Sequence, residues 1–554
     1  MTEKTAAQAM VDALVVNGVD TVFGLPGAQM YPLFDALYQA DDRIRTIGAR
    51  HEQGLAYMAF GYARSTGRLG VYSPVPGPGV LNTTAAMCTS LGACAPTLCL
   101  TGEIPSMFKG MGRGHLHELP DQLGILQRLT RYAQHIETPA ETPVAMTAAI
   151  AGAMSGRKGP AALSICWDHL GMRADMAAAE RAVVPAAPAP DDDDVARCVG
   201  LIRAARRPII FTGSGAQDAA PEIARLADAL NAPVVGFRGG RGVVGEDRQL
   251  GLSMAAAWNL WSECDLMIGI GTRLEIPFMR WGGMMRYNRA LPGRALIRVD
   301  IDPTEMARLD TDGPLVANAA AGVAVLVAAL DRAGHAPQGD LAAIADAKAK
   351  AAHDIRSIQP QMDYLDVIRD VLPYDGFLVE ELSQMGFTSN FGFPVYLPRT
   401  YVSCGYQGTL GFGFPTALGV KVAHPDKAVV SVTGDGGFQF ALPELATAVQ
   451  HGINLVTIVF DNGCYGNVLR DQQTRFDDHI IGADLVNPDF AKLADSYGIR
   501  AWVVDTPTAL RPALEAALAL GAPALIQVRV PRGSEISPWS FISPGLTAAP
   551  ATST

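Results

Sequence analysis

The sequence predicts an α/β protein of three doubly wound, parallel-sheet domains, and three observations predict it. The chain has 554 residues, enough for three or four folding units, each with its own core. Short β-rich runs alternate with Ala-rich helical stretches and meet them at Gly or Pro, which is the pattern of βα units on a parallel sheet. Apolar residues make up 49% and charged residues 18%, with 57 Gly and 37 Pro, a turn-rich globular composition rather than a disordered one.

The elements follow in chain order. The first unit, residues 1–180, has strand candidates at 21–23, 70–75, 97–100 and 162–165, and a helix at 56–65. At 181–194 Pro-Ala repeats run into four consecutive Asp, an extended linker whose acidic end caps the next helix. The second unit, 190–340, has strand candidates at 208–211, 233–235, 266–270 and 296–299 and ends in a helix at 319–332. A polar helical stretch at 334–361 crosses to the third unit, 360–530, with strand candidates at 376–379, 400–402, 428–432, 455–460 and 524–528. The remainder, 531–554, is rich in Ser, Pro and Ala with Trp539 and Phe541 embedded, and reads as a C-terminal tail with the makings of a lid.

The net charge of −11 argues against nucleic acid, because neutralising phosphates needs a basic face. The longest apolar stretch, 319–330, falls short of the ~18 residues of a membrane span, and no signal-peptide pattern opens the chain, so a cytoplasmic location is expected. Eight Cys without a CxxC pair disfavour a zinc cage or a disulfide scaffold and read as small buried hydrophobes.

The chemistry concentrates in the third unit. The strand at 428–432 runs into Gly434-Asp435-Gly436-Gly437, and the strand at 455–460 runs into Asn462-Gly463-Cys464-Tyr465-Gly466. Both turns belong at the carboxyl edge of one parallel sheet, where α/β proteins bind ligands. A carboxylate at Asp435, the amide oxygen of Asn462 and the backbone carbonyl of Cys464 make three hard oxygen ligands, the set Mg²⁺ takes when phosphate oxygens and water complete its octahedron. The glycines let backbone approach closely, and a following helix start offers free N–H groups to phosphate. Taken alone, Gly434-Asp435-Gly436 is an ordinary strand-to-helix turn with an Asp cap; Asn462 after a matching strand turns the balance.

On these residues the chain resembles the thiamine diphosphate enzymes of the acetolactate synthase, benzoylformate decarboxylase and pyruvate decarboxylase superfamily. The resemblance runs over nearly the whole chain, in the order pyrimidine-binding, middle and diphosphate-binding domain. It implies that Asp435, Asn462 and Cys464 hold Mg²⁺ on the cofactor, with Ser383, Gln384, Gly434, Gly436, Gly437, Tyr465 and Gly466 around the diphosphate. It places Leu410, in Ser403-Cys404-Gly405-Tyr406-Gln407-Gly408-Thr409-Leu410, under the thiazolium, and the carbonyl of Gly408 against the 4′-amino group. It sets Glu52 of Arg50-His51-Glu52-Gln53-Gly54 beside N1′ of the pyrimidine, where desolvation would raise its pKa and let it share a proton with that ring. A Glu at a helix start is otherwise a solvated cap. Because the resemblance joins Glu52 and the metal motif across a subunit interface, it implies a homodimer at least, with a homotetramer as a dimer of dimers.

The substrate side is less regular. Ala28, after Leu25-Pro26-Gly27, supplies no acid. Gln29 beside it, and His115 and His117 of the loop at 110–118, are the candidate catalytic groups, the His residues able to protonate an alkoxide near neutral pH. Asp471 falls where biosynthetic acetolactate synthases carry a Trp, and an acid there disfavours a carboxylate acceptor; Arg470 or Arg475 offers a bidentate anchor for a donor carboxylate. In the middle unit Thr212-Gly213-Ser214-Gly215, Gly271-Thr272-Arg273 and Asp300-Ile301-Asp302-Pro303 resemble a cavity that relatives fill with FAD or ADP or leave empty, and the missing dinucleotide fingerprint disfavours an occupant. The resemblance thus implies a 2-oxo acid decarboxylase or carboligase that uses the cofactor's C2 carbanion and enamine to release an aldehyde or join it to a carbonyl acceptor. The alternatives are an acyl-CoA lyase or decarboxylase of the oxalyl-CoA decarboxylase type, and a non-catalytic thiamine diphosphate-binding protein.

Overall fold

Three six-stranded sheets, every strand parallel to its neighbours, organise the computed structural model, which describes residues 2–282 and 288–544. The final ten residues of the expected tail lie outside the described residues. The first sheet is built from Arg45–Gly48, Thr21–Gly24, Gly70–Ser73, Thr97–Glu103, Ala161–Cys166 and Tyr132–Ile136, in that spatial order. The third runs Tyr401–Val402, Phe377–Glu380, Val429–Gly434, Val456–Asp461, Ala524–Arg529 and Arg500–Val504. Numbered by chain order within each domain, both read 2-1-3-4-6-5, whereas the middle sheet, from Gly251–Leu252 to Gly313–Val316, reads 3-2-1-4-5-6. Each order reverses direction beside its first strand, and that switch point is where a ligand crevice opens at the carboxyl edge.

Helices cover both faces, so the central strands are largely apolar; Ala161–Cys166, Pro208–Thr212 and Leu266–Ile270 are buried at every residue. The expected Asp cap is present: Asp191 accepts the N–H groups of Asp193 and Asp194 at the start of Asp192–Ala204. Two segments differ from expectation. Residues 2–5 form a strand, Thr2–Thr5, paired antiparallel with Arg173–Met176. Residues 531–544 are docked on the third domain rather than trailing, with Ile542 and Ser543 buried, because Trp539 and Phe541 find ring partners in Phe387 and Phe391.

The first and third domains share one core, joined where helix Glu52–Thr66 crosses helix Gly413–Ala423. A Cβ at Gly61 would stand 2.0 Å from the Thr416 carbonyl oxygen, and one at Gly419 would stand 1.9 Å from that of Met58, so the two backbones touch and no larger residue fits. Glu444 accepts the backbone N–H groups of Arg50 (3.2 Å) and His51 (3.0 Å). The start of the helix that carries Glu52 is therefore fixed by a carboxylate of the third domain.

Candidate functional site

The switch point of the third sheet lies between Phe377–Glu380 and Val429–Gly434, and the predicted metal motif sits on it. Asp435 follows directly on its strand and is buried. One carboxylate oxygen accepts the Gly436 N–H (2.9 Å); the other accepts those of Gly463 (2.9 Å) and the Asn487 side chain (2.6 Å). Asn487 also donates to Asp461 (2.7 Å) and thereby spaces two carboxylates. Burial pushes the Asp435 carboxyl up to about 6 against the pull of these donors, with Asp461 adding to the rise. A buried acid with acidic neighbours and only neutral donors is stabilised by a cation.

Asn462 supplies its amide oxygen next to Asp435, and that oxygen accepts the Cys464 N–H at 3.1 Å. Cys464 is held in place from both sides, by Leu485 N–H on Gly463 O (3.0 Å) and Tyr465 N–H on Ala483 O (2.8 Å). The glycines of the motif are contact points. A Cβ at Gly436 would meet the Tyr465 ring at 2.5 Å, one at Gly434 would lie 3.1 Å from Ser383 Cβ, and one at Gly437 would lie 3.0 Å from Glu381 Cγ. Two helix starts converge here. Ser383 caps Gln384–Gly392, accepting the Gly386 N–H, and Gly466–Arg475 begins uncapped, its first turn of N–H groups without an intrahelical acceptor. At Gly466 an added Cβ would stand 3.3 Å from Asn462 Nδ2 and 3.5 Å from Gln384 Nε2, so the starts and the Asn meet in one small space. Donors for a dianion thus adjoin oxygens for a divalent cation, and the residues present fit a Mg²⁺ diphosphate.

The loop expected to carry the cofactor ring is anchored by a residue absent from the sequence expectation, Glu381. Its carboxylate accepts the Gly413 N–H at 2.7 Å, which fixes the segment containing Gly408 and half-buried Leu410 against the strand end. Burial pushes Glu381 up to about 7 and the adjacent Glu380 up to about 8. An acid whose folded pKa lies above its unfolded one costs stability as pH rises from the unfolded to the folded value, here from 4.5 to about 8 for Glu380. Glu380→Gln should accordingly raise the thermal midpoint at pH 8.5 and change it little at pH 4.5, as scanning calorimetry at the two pH values would register.

Glu52 opens the helix Glu52–Thr66, next to Gly79, and accepts a hydrogen bond from Asn82 at 3.0 Å, a partner within its own domain. Ala28 opens a short turn at the first sheet's edge. Gln29 is buried and spoken for at both ends of its amide: Nε2 donates to Leu116 O (2.9 Å) and Oε1 lies 2.9 Å from His117 Nδ1. Gln29 therefore holds the 116–117 backbone and the His117 ring in place. His115 stacks on Phe108 with ring centroids 4.0 Å apart, and Glu118 gathers the Gly112, Gly114 and His115 N–H groups, so the loop is organised rather than loose. Asp471 lies one helical turn from Arg475 at 3.7 Å, in a partly solvated ion pair. Arg470, by contrast, turns inward and donates to Gln384 Oε1 at 2.8 Å.

The middle domain's switch point opens a cavity of about 250 Å³ lined by Gly213, Ser214, Gly271, Thr272, Arg273 and Asp300 with residues of both other domains. The loops singled out in the sequence do meet there. Among the described residues no cluster of three His, Cys, Asp or Glu could by itself hold a metal ion.

Three matches to family profiles span this architecture: the N-terminal TPP binding domain of thiamine pyrophosphate enzymes over residues 4–125, their central domain over 195–326, and their C-terminal TPP binding domain over 383–528. A probable acetolactate synthase large subunit of Methanocaldococcus jannaschii is 32% identical across 94% of this chain and 91% of its own length. The chain belongs to the thiamine pyrophosphate enzyme family. Other relatives are an acetolactate synthase of Arthrospira platensis, 29% identical over 98% of this chain and 96% of its own, and a probable 2-ketoarginine decarboxylase of Pseudomonas aeruginosa, 32% identical over 89% and 88%. As a member, the protein is a thiamine diphosphate-dependent enzyme that forms or cleaves C–C bonds. Beyond the residues the sequence pointed to, the site contains Glu381, Asn487 and Glu535. The first is one of two acids ending a strand; the other two lie in irregular segments with no local pattern.

Proposed function

We propose that this chain is a Mg²⁺- and thiamine diphosphate-dependent enzyme that decarboxylates a 2-oxo acid and either releases the aldehyde or ligates it to a carbonyl acceptor. The observation that carries the reading is the oxygen set of buried Asp435 and Cys464 and half-buried Asn462 beside two converging helix starts. Thiamine diphosphate, when bound, supplies a nucleophilic carbon for the 2-oxo carbonyl and takes up the electron pair that CO₂ leaves. The protein's part is positional and protonic. Asp435 and Asn462 bring a cation to the diphosphate, Glu381 sets the loop of Gly408 and Leu410, and Glu52 holds a proton at the pyrimidine N1′. His117, oriented by Gln29, and His115 stand as proton donors on the substrate side.

The reading places the enzyme in the cytoplasm, as a homodimer or a dimer of dimers divided into domains 1–180, 190–340 and 360–530. It is supported by the absence, among the described residues, of a helix long and apolar enough to cross a membrane, and by exposed Leu81 on Pro78–Ala93 and Val449 on Glu444–Gln450, whose Glu444 holds the start of the Glu52 helix. Steady-state CO₂ release from pyruvate, benzoylformate, glyoxylate and, prompted by the Pseudomonas relative's name, 2-ketoarginine tests it. Turnover of at least one is expected, and none with saturating cofactors would refute it. The 250 Å³ cavity favours a second reading, the acyl-CoA lyase or decarboxylase, under which ADP or a CoA ester co-purifies with the protein, whereas FAD there would accord with the synthase-like reading.

A further inference from the structure

We infer that Glu535 is a positioning residue for Asn462, which makes the docked C-terminal segment part of the cation site. The inference rests on the Mg²⁺ reading above. Beyond strand Ala524–Arg529 the chain doubles back over the third domain: Ile536 N–H donates to Gln359 O (3.1 Å), Gln361 Nε2 to Ile536 O (2.7 Å), Arg470 to Ser537 Oγ (3.3 Å) and Trp539 Nε1 to Asn467 Oδ1 (2.7 Å). This docking delivers Glu535 to Asn462, whose Nδ2 donates to Glu535 Oε2 at 2.6 Å.

The two ends of an Asn side chain have the same shape and opposite hydrogen-bonding character, and a carboxylate only accepts. Glu535 therefore selects the NH₂ end of Asn462 and leaves the amide oxygen facing the Cys464 N–H, beside the Gly463 N–H that binds Asp435. Without Glu535 nothing else described takes the Nδ2 protons, and only the Cys464 N–H on the amide oxygen still opposes a flip that would present a donor to a cation. Partners that orient a ligand typically carry 10–100-fold in metal affinity.

Calorimetric titration of the metal-free full chain with Mg²⁺, at fixed thiamine diphosphate, tests this. Glu535→Ala should weaken Mg²⁺ binding about 10–100-fold. Glu535→Asp, which keeps the charge but withdraws it by one methylene, should do the same and carries the test if the Ala variant does not fold. Glu535→Gln, whose carbonyl can still accept, should stay within about threefold of wild type. Wild-type affinity in both the Ala and Asp variants, or a Gln variant as weak as Ala, overturns the assignment. A wild-type chain that binds no Mg²⁺ overturns the cation reading beneath it.

Discussion

Glu52→Gln is expected to lower steady-state turnover of the 2-oxo acid by about 10²–10⁴-fold, the range for loss of a positioned acid–base group. The replacement is isosteric and still offers Asn82 an acceptor, and the helix start is fixed independently through the Arg50 and His51 N–H groups on Glu444. Folding and cofactor affinity should therefore change little, so the loss appears in kcat at saturating cofactor. Exchange of the cofactor's C2 proton in the absence of substrate, followed by NMR, should slow in parallel. Unchanged exchange and unchanged kcat would remove Glu52 from the proton path.

The second large effect belongs to Asp435. Asp435→Asn keeps the size of the side chain but removes the negative charge that the buried turn holds against Gly436, Gly463 and Asn487. As a direct ligand it should matter more than an orienting partner, so Mg²⁺ affinity should fall by more than about 100-fold and activity with it. Raising Mg²⁺ should restore part of the activity if the residue binds the ion. A destabilised apo protein with unaltered Mg²⁺ affinity would assign Asp435 a purely structural role.

The parts of this arrangement that the sequence disclosed share a physical cause. Central strands such as Val429–Gly434 and Val456–Asp461 are covered on both faces and read as apolar runs. Edge strands do not. Arg45–Gly48, Tyr132–Ile136, Gly251–Leu252, Gly313–Val316 and Arg500–Val504, all at sheet margins, are short or polar and escape a search for apolar runs. The same contrast holds in the site. Asp435 and Asn462 stand in turns whose spacing follows from two adjacent strands. Asn487 and Glu535 arrive from segments without periodicity, and their place depends on tertiary packing, in Glu535's case on Trp539 and Phe541 finding Phe387 and Phe391. Gln29 illustrates a third case: the residue was singled out for catalysis, but only the fold reveals that its amide is committed to His117 and Leu116.

Equilibrium dialysis of thiamine diphosphate against the full chain, with Mg²⁺ and with a chelator, tests the central claim most directly. The oxygen set of Asp435, Asn462 and Cys464 predicts saturable binding that requires Mg²⁺ and is lost in the Asp435→Asn variant at the same cation concentration. Binding of equal strength with and without the chelator would contradict it.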